Sequence, residues 1–199
     1  MQIRHALAVD LPAMCAVLTQ SFYDDPQMQF LFPDPATRNE DLGVMFASIA
    51  MAGVRRGHTY VLEHDSKIVA AAIWSPPEIR ALADTEVGPF VNAIIGRYGD
   101  EGLGRLGAMS EAMEANHPDD AHMYLFIVGV DPQHQGRGFG EAIVRPTLAH
   151  CDAMRIAAYL ESSNPRNISF YSRLGFATIS EFHPESGPLF TGMWRNPTH

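Results

Sequence analysis

The glycine-rich run at residues 135–140 is the part of this sequence whose spacing points most directly to a ligand. Gly136, Gly138 and Gly140 alternate with other residues immediately before a predicted helix. Glycines let the backbone approach a ligand closely, and the first N–H groups of a helix lack partners and lie at the positive end of its dipole. Arg137 can add a charge contact. The run therefore predicts a phosphate-binding loop or, alternatively, a tight strand-to-helix turn.

Two common phosphate-binding motifs do not fit this run. A dinucleotide fingerprint has the spacing G-x-G-x-x-G, whereas these glycines fall at every second position and begin after residue 120, where no second mononucleotide-binding half would fit. A P-loop ends in Gly-Lys followed by Ser or Thr, and here Gly140 is followed by Glu141. The sequence thus disfavours a Rossmann enzyme and a nucleotide hydrolase.

Two motifs in the same order resemble those of the GCN5-related N-acetyltransferase (GNAT) superfamily. The first, Gln135-x-x-Gly138-x-Gly140 after a strand that ends in Val-Asp-Pro, is similar to the superfamily's acetyl-CoA pyrophosphate loop. The second, at residues 164–176, combines a loop asparagine, a short helix with a tyrosine and a Leu-Gly-Phe turn. The resemblance spans nearly the whole chain and is strongest over residues 122–182.

The resemblance implies an acetyl-CoA-dependent N-acetyltransferase that acts on the primary amine of a small molecule, such as an antibiotic or another xenobiotic. Within the superfamily the chain is most similar to the puromycin N-acetyltransferases, which share a Val-Gly-Val strand end, a Pro-Arg-Asn-x-x-Phe-Tyr helix and a Trp-x-x-Pro-Glu run like residues 74–78. The resemblance also implies direct attack of a neutral amine on the thioester carbonyl, without a covalent enzyme intermediate.

By the same resemblance, acetyl-CoA occupies the splay after the fourth strand and pairs with the backbone of Val128, Gly129 and Val130, where the N–H of Val130 stabilises the oxyanion. These residues fit an ordinary core strand equally well. One of two asparagines contacts the cofactor while the other caps the short helix. The remaining cofactor contacts lie in the loop and after the next strand, at Gln135, Gly136, Arg137, Gly138, Phe139, Gly140, Asn164 and Asn167.

Tyr171 matches the superfamily position that protonates the departing CoA thiolate. A phenol with a pKa near ~10 can donate this proton, and such general-acid catalysis is commonly worth ~10²–10⁴ in rate. The alternative is that Phe170 and Tyr171 are ordinary core aromatics beneath the Leu-Gly-Phe turn.

Glu161, at the end of the preceding strand, is the candidate general base that accepts a proton from the ammonium form of the substrate. Only two residues separate it from Asn164, fewer than in members that use a glutamate on this strand. Its side chain can therefore face the wrong side of the sheet. In that case a chain of water molecules would connect the substrate to His58, Glu63 or the C-terminal carboxylate.

Aromatic residues of the first 80 positions are candidate contacts for an amphipathic amine, because their π faces attract cations. Core or lid packing is the alternative, especially for Phe30 and Phe32. The candidates are Tyr23, Phe32 and Trp74, with Phe22, Phe30 and Glu78 near them in the sequence.

Composition favours a protein in solution with a small-molecule substrate. The 199 residues are 46% hydrophobic and carry 14 Lys and Arg against 23 Asp and Glu, a net charge of −9. This charge repels nucleic acids and anionic membranes, and no apolar run approaches the ~20 residues of a membrane span.

Cys15 and Cys151 predict free thiols, and the histidine spacing predicts no metal site. The absence of a signal pattern predicts a cytoplasmic protein. The expected oligomeric state is a monomer or a homodimer.

The periodicity predicts a mixed α/β fold in one domain over residues 1–199, and the resemblance implies a mostly antiparallel sheet of about seven strands flanked by helices. The region 86–115 is predicted as helical pieces interrupted at Gly96, Gly99, Gly102 and Gly104, covering a closed pocket. Strands are predicted at 2–6, 59–63, 67–74, 123–130, 156–161, 176–182 and 188–194, and further helices at 10–22, 39–54, 138–152 and 165–174.

Two other functions stay open at this point. One is a non-catalytic acyl-CoA-binding module that senses or scaffolds, against which Tyr171 is the main argument. The other is acetylation of a protein N-terminus or lysine, against which the predicted cover at 86–115 is the main argument.

Overall fold

A seven-stranded sheet forms the framework of the protein, whose computed structural model describes residues 1–77, 79 and 81–198. The strands are β1 Gln2–His5, β2 Thr59–His64, β3 Lys67–Ser75, β4 His122–Val130, β5 Ala157–Ser162, β6 Ala177–Phe182 and β7 Phe190–Arg195. They lie in the order β1-β2-β3-β4-β5-β7-β6, and every neighbouring pair is antiparallel except β4 and β5. This confirms the predicted mixed fold with a mostly antiparallel sheet. Glu78 and the C-terminal carboxylate, both named above, lie outside the described residues.

Helices cover both faces of the sheet. The helices are α1 Leu11–Phe22, α2 Pro26–Leu31, α3 Arg38–Arg56, α4 Asp84–Asn116, α5 Phe139–Met154 and α6 Ile168–Arg173, with short 3-10 turns at Ala8–Asp10, Pro132–His134 and Pro165–Asn167. On one face, α1, α3 and α4 bury a core that includes Leu18, Phe46 and Ile94; on the other, α5 and α6 bury a core that includes Ile143 and Leu160. Among the described helices, none has the length and apolarity that crossing a membrane requires.

Two parts of the helix prediction are wrong. The predicted break after α1 contains α2, which forms because Pro26 suits the first helical position and Asp25 accepts a hydrogen bond from the Gln27 N–H at 2.9 Å. The predicted interruptions of α4 reduce to one kink at Gly99, with φ 58° and ψ −147°. The other glycines stay helical because Phe90, Ile94 and Met109 anchor both halves of α4 in the core.

The sheet opens between its two parallel strands. β4 pairs with β5 only from His122 to Tyr124, although β4 continues to Val130 along β3. Because the pairing ends at Tyr124, the two strands separate and the last residues of β4 border a cleft.

Candidate active site

A cavity of about 660 Å³ occupies this cleft. Its walls come from the end of α1, the last residues of β4, the loop that enters α5, and α6 with the 3-10 turn before it. The cavity brings together ten of the residues that the sequence assigns to cofactor binding and catalysis: Val128, Val130, Gln135, Gly136, Gly138, Phe139, Gly140, Asn164, Asn167 and Tyr171.

The glycine-rich loop forms part of the cavity wall through Gly136, Gly138 and Gly140. Gly136 and Gly138 have φ values of +74° and +80°, a conformation that side-chain-bearing residues rarely adopt. Gln135 fixes the loop by donating from Nε2 to the Val130 carbonyl at 3.1 Å, and Asp131 accepts from the N–H of Gln133 at 3.0 Å. No side chain among the described residues caps the first turn of α5, so its N–H groups can bind an anion.

The last residues of β4 point their N–H groups in alternating directions. The Asp131 N–H donates to the Val69 carbonyl at 2.9 Å, so in this antiparallel ladder Val128 and Val130 point their N–H groups away from β3 and toward the cleft. The Val130 N–H donates to the Ser21 hydroxyl at 3.2 Å. The Val128 N–H thus faces the side on which an extended ligand can pair with β4.

Gly129 faces α1 and does not line the cavity. A Cβ on this residue would lie 2.9 Å from Leu18 Cδ2 and 3.0 Å from Ser21 Oγ. The glycine therefore permits the close approach of α1 to β4, which also brings Ser21 to the cleft.

Tyr171 belongs both to the core and to the cavity wall. Its side chain on α6 is packed beside Phe170, with ring centroids 5.0 Å apart, and the residue is 7% exposed. Burial raises the pKa of its hydroxyl, and the nearby charge of Asp25 raises that pKa further. The phenol therefore keeps its proton at neutral pH.

The two asparagines have different surroundings. The side chain of Asn164 accepts a hydrogen bond from the Arg166 N–H at 3.1 Å and so caps the 3-10 turn before α6. Asn167 is exposed on the cavity wall. This division leaves Asn167 as the asparagine whose side chain is open to a ligand.

Glu161 lies in a separate polar cluster and does not line the cavity. Its side chain is 2% exposed, and it accepts a hydrogen bond from the Tyr124 hydroxyl and contacts Nδ1 of His117 at 3.1 Å. Nε2 of His117 is in turn 3.2 Å from Nε2 of His122. The alternative bases His58 and Glu63 are also absent from the cavity wall.

The three predicted substrate contacts are placed in structural roles. Phe32 and Trp74 are each 1% exposed and pack in the cores on opposite faces of the sheet. Tyr23 donates from its hydroxyl to the Pro35 carbonyl at 2.9 Å. Of the aromatic residues named near them in the sequence, Phe22 lines the cavity, whereas Phe30 packs against the core.

Sequence reasoning missed several residues that line the cavity and carry functional groups, among them Ser21, Asp25, Arg166 and Arg173. Ser21 lies in the last turn of α1 and Asp25 in the turn before α2, a stretch that the sequence left between two predicted helices. Arg166 and Arg173 are seven residues apart, a helical spacing that places both on one face and could have predicted a basic wall. Arg137, the predicted charge contact, is exposed and absent from the wall.

Asp25 is the buried carboxyl group of the cavity wall. The residue is 8% exposed, and its Oδ1 accepts hydrogen bonds from the Ser163 hydroxyl at 2.6 Å and from the Gln27 N–H at 2.9 Å. Burial raises the pKa of this carboxyl, while hydrogen bonds from Ser163 and from the N–H groups of Gln27 and Met28 partly offset that rise. In the described part of the chain, no group of three His, Cys, Asp or Glu side chains is arranged to hold a metal ion.

Comparison with known proteins gives a family and several relatives. Residues 19–176 match the model of the acetyltransferase (GNAT) family. The chain is 26% identical over 195 residues to an uncharacterized N-acetyltransferase of Schizosaccharomyces pombe, covering 88% of this chain and 74% of that protein. It is 34% identical over 77 residues to the mycothiol acetyltransferase of Beutenbergia cavernae, covering 37% and 26%. It is also 22% identical over 189 residues to a probable serine/threonine-protein kinase of Dictyostelium discoideum, of which it spans only 20%.

Solved structures share the fold. A protein of Corynebacterium glutamicum described as "histone acetyltransferase HPA2 and related acetyltransferase" superimposes with a TM-score of 0.71 at 22% identity, over 100% of this chain and 97% of that one. The polyamine N-acetyltransferase of Drosophila melanogaster has a TM-score of 0.66 at 15% identity, over 98% and 99%.

Proposed function

The chain belongs to the GNAT family of acetyltransferases, and we propose that it transfers the acetyl group of acetyl-CoA directly to the primary amine of a small molecule. The observation that carries this proposal is that one cleft contains the glycine-rich loop, the open side of β4 and Tyr171. These are the parts needed to bind an acyl-CoA pyrophosphate, to hold the thioester and to protonate a thiolate.

In this proposal the acetyl-CoA pyrophosphate binds the backbone N–H groups of Gly136, Gly138 and the first turn of α5. Arg166 and Arg173 add positive charge on the opposite wall, and Asn167 donates or accepts a hydrogen bond. The pantetheine arm pairs with the backbone of β4 where β5 has separated from it. The site thus uses backbone for the extended arm and charge for the phosphates.

The chemistry follows from the same placement. The cleft-facing N–H groups of Val128 and Val130 stabilise the negative charge that develops on the carbonyl oxygen, and Ser21 rotates away from Val130 as the thioester enters. Tyr171, protonated at neutral pH, supplies a proton to the CoA sulfur. Two acidic residues in the turn between α1 and α2, Asp24 and Asp25, line the cavity and favour a cationic acceptor.

The proposal is tested by measuring thiol release from acetyl-CoA with a panel of acceptors: puromycin, a polyamine, 2-phenylethylamine and a peptide with a free N-terminus and a lysine. Product amide is quantified in parallel by mass spectrometry. We expect release with at least one small amine, matched mole for mole by its amide. Release with the peptide alone would support a protein acetyltransferase, and saturable acetyl-CoA binding without any release would support the non-catalytic module.

A further inference from the structure

The acceptor amine is protonated at neutral pH, so the reaction requires a group that removes a proton before the nitrogen can attack. Glu161 has its side chain in the cluster with Tyr124 and His117 and does not reach the cavity wall. Among the residues that the structure describes, three with carboxyl side chains line the wall: Asp24, Asp25 and Glu141.

These three carboxyl groups differ in burial and in partners. Asp24 is exposed, and Glu141 is ion-paired with Arg145 on the surface of α5. Asp25 is buried, and its hydrogen bonds come from neutral donors, the Ser163 hydroxyl and the backbone N–H groups of Gln27 and Met28. A buried carboxylate without a cationic partner is costly to maintain, and a cationic substrate would supply that partner.

We propose that Asp25 is the general base that takes the proton from the acceptor ammonium, and that Ser163 is a positioning residue that holds its carboxyl group in the cleft. This inference rests on the proposed acetyl transfer and names a residue for the step that transfer leaves unassigned. Asp25 immediately precedes α2, in the turn between α1 and α2, and lines the same cavity as Ser21, Phe22 and the last residues of β4.

The electrostatic surroundings of Asp25 support this role. Its charge raises the pKa of Tyr171, so the carboxylate and the phenol interact across the cavity. Burial raises the pKa of Asp25 itself, which brings the carboxyl closer to the pH at which a base works efficiently. The other titratable and charged side chains of the wall, from every element around the cavity, are Asp24, His134, Glu141, Arg166 and Arg173.

Every proton and every electron pair is accounted for along this route. The ammonium N–H bond breaks, its proton passes to a carboxylate oxygen of Asp25, and the freed lone pair forms a bond to the thioester carbonyl carbon. When the C–S bond breaks, Tyr171 gives its proton to the CoA sulfur, and the second nitrogen proton restores the phenol. Asp25 then releases its proton to solvent, so each turnover yields one amide, one CoA thiol and one proton.

The test replaces Asp25 by asparagine, which keeps the helix-capping acceptor for Gln27 and removes the base. Wild type and Asp25→Asn are compared on the panel amine that turns over and on its β-fluorinated analogues, in which fluorine lowers the ammonium pKa from above to below the assay pH. We expect kcat/KM to fall about 10²–10⁴-fold in Asp25→Asn with the parent amine and to approach the wild-type value with the analogue that is already neutral. Glu161→Gln serves as the comparison. The ratio of its kcat/KM to that of the wild type is expected to be the same for every amine of the series.

If the kcat/KM of Asp25→Asn relative to wild type is constant along the series, or if this variant has wild-type activity with the parent amine, the role of Asp25 is overturned. A Glu161→Gln deficit that disappears with the neutral analogue would assign the base to Glu161 instead. Absence of turnover by the wild-type protein with every panel amine would overturn the proposed function itself, and the role of Asp25 with it.

The pH profile gives a second readout that a structural role would not move. The hydrogen bond from Ser163 lowers the pKa of Asp25, so Ser163→Ala is expected to shift the acidic limb of kcat/KM to higher pH. Asp25→Asn is expected to remove that limb. An unchanged limb in both variants would contradict the assignment.

Discussion

At the residue scale, the cleft depends on side chains that are buried and also border the cavity. Tyr171 is 7% exposed and Asp25 is 8% exposed, and both line the wall. Burial raises the pKa of each group, which keeps the phenol protonated as an acid and moves the carboxyl toward the working range of a base. In the proposed mechanism, the same physical effect thus prepares two groups for opposite tasks.

The first prediction concerns Tyr171. Tyr171→Phe retains the ring that packs against Phe170 and removes the hydroxyl, so kcat should fall about 10²–10⁴-fold while the Kd for acetyl-CoA stays unchanged. Thiol-release kinetics and calorimetric titration measure the two quantities. Tyr60→Phe, at a half-buried tyrosine on β2 that does not line the cavity, is the matched control. A Tyr171→Phe enzyme as fast as that control would remove the phenol from the mechanism.

The second prediction concerns Gly129. In Gly129→Ala the new methyl group would lie 2.9 Å from Leu18 Cδ2 and 3.0 Å from Ser21 Oγ, closer than van der Waals contact, so the side chains of α1 that face β4 must shift. We expect a loss of about 1–3 kcal/mol in the free energy of unfolding, measured in urea. Gly107→Ala in α4, whose Cβ meets open space, should instead raise that free energy by about 0.5–1 kcal/mol. Equal stability of the two variants would contradict the close contact.

At the element scale, the cleft exists because β4 keeps its pairing with β3 after it has lost β5. The loop after β4 then enters α5 through two glycines with positive φ, and α6 supplies the opposite wall. In the proposed acetyl-CoA complex each element contributes one kind of contact: β4 backbone hydrogen bonds, α5 the N–H groups of its first turn, and α6 with its preceding turn two arginines and the phenol.

The element-scale prediction concerns the two arginines of this wall. Arg166→Gln and Arg173→Gln should each raise the Kd for acetyl-CoA about tenfold, which corresponds to about 1.4 kcal/mol, because each removes a charge near the phosphates. Binding of S-acetylpantetheine, which lacks the phosphates of CoA, should be unaffected. Arg55→Gln, in the last turn of α3, is the charge-matched control. Equal losses for both ligands would show that the arginines act on the fold and not on phosphate.

At the scale of the whole molecule, the sequence predicts the sheet and the glycine-rich loop well because both depend on local patterns. The apolar run of β4 and the alternating glycines 136, 138 and 140 lie within one short segment. Asp25 and Ser163, in contrast, are 138 residues apart and meet only in the folded chain, where the turn before α2 contacts the residue that follows β5. Trp74 also shows what sequence patterns leave open. An aromatic residue near the end of a strand can pack in the core or contact a ligand, and only its neighbours in the fold distinguish the two roles.

The prediction at this scale is that the chain unfolds as one domain. The cores on both faces share the same sheet, so loss of either should expose the other. Circular dichroism and tryptophan fluorescence should give coincident urea transitions, and acetyl-CoA at a hundred times its Kd should add about 2.7 kcal/mol to the free energy of unfolding. Two separated transitions would contradict a single domain over residues 1–199.

The most direct test of acetyl transfer is a single-turnover experiment with acetyl-CoA labelled in the acetyl group. The protein is loaded with the labelled compound, mixed with the panel amine that releases thiol, quenched over time and analysed for label on the amine and on the protein. Direct transfer predicts that label appears in the amide at the same rate as the CoA thiol and never on the protein. Label that accumulates on a protein side chain before reaching the amine, or that stays on CoA with every amine, would contradict it.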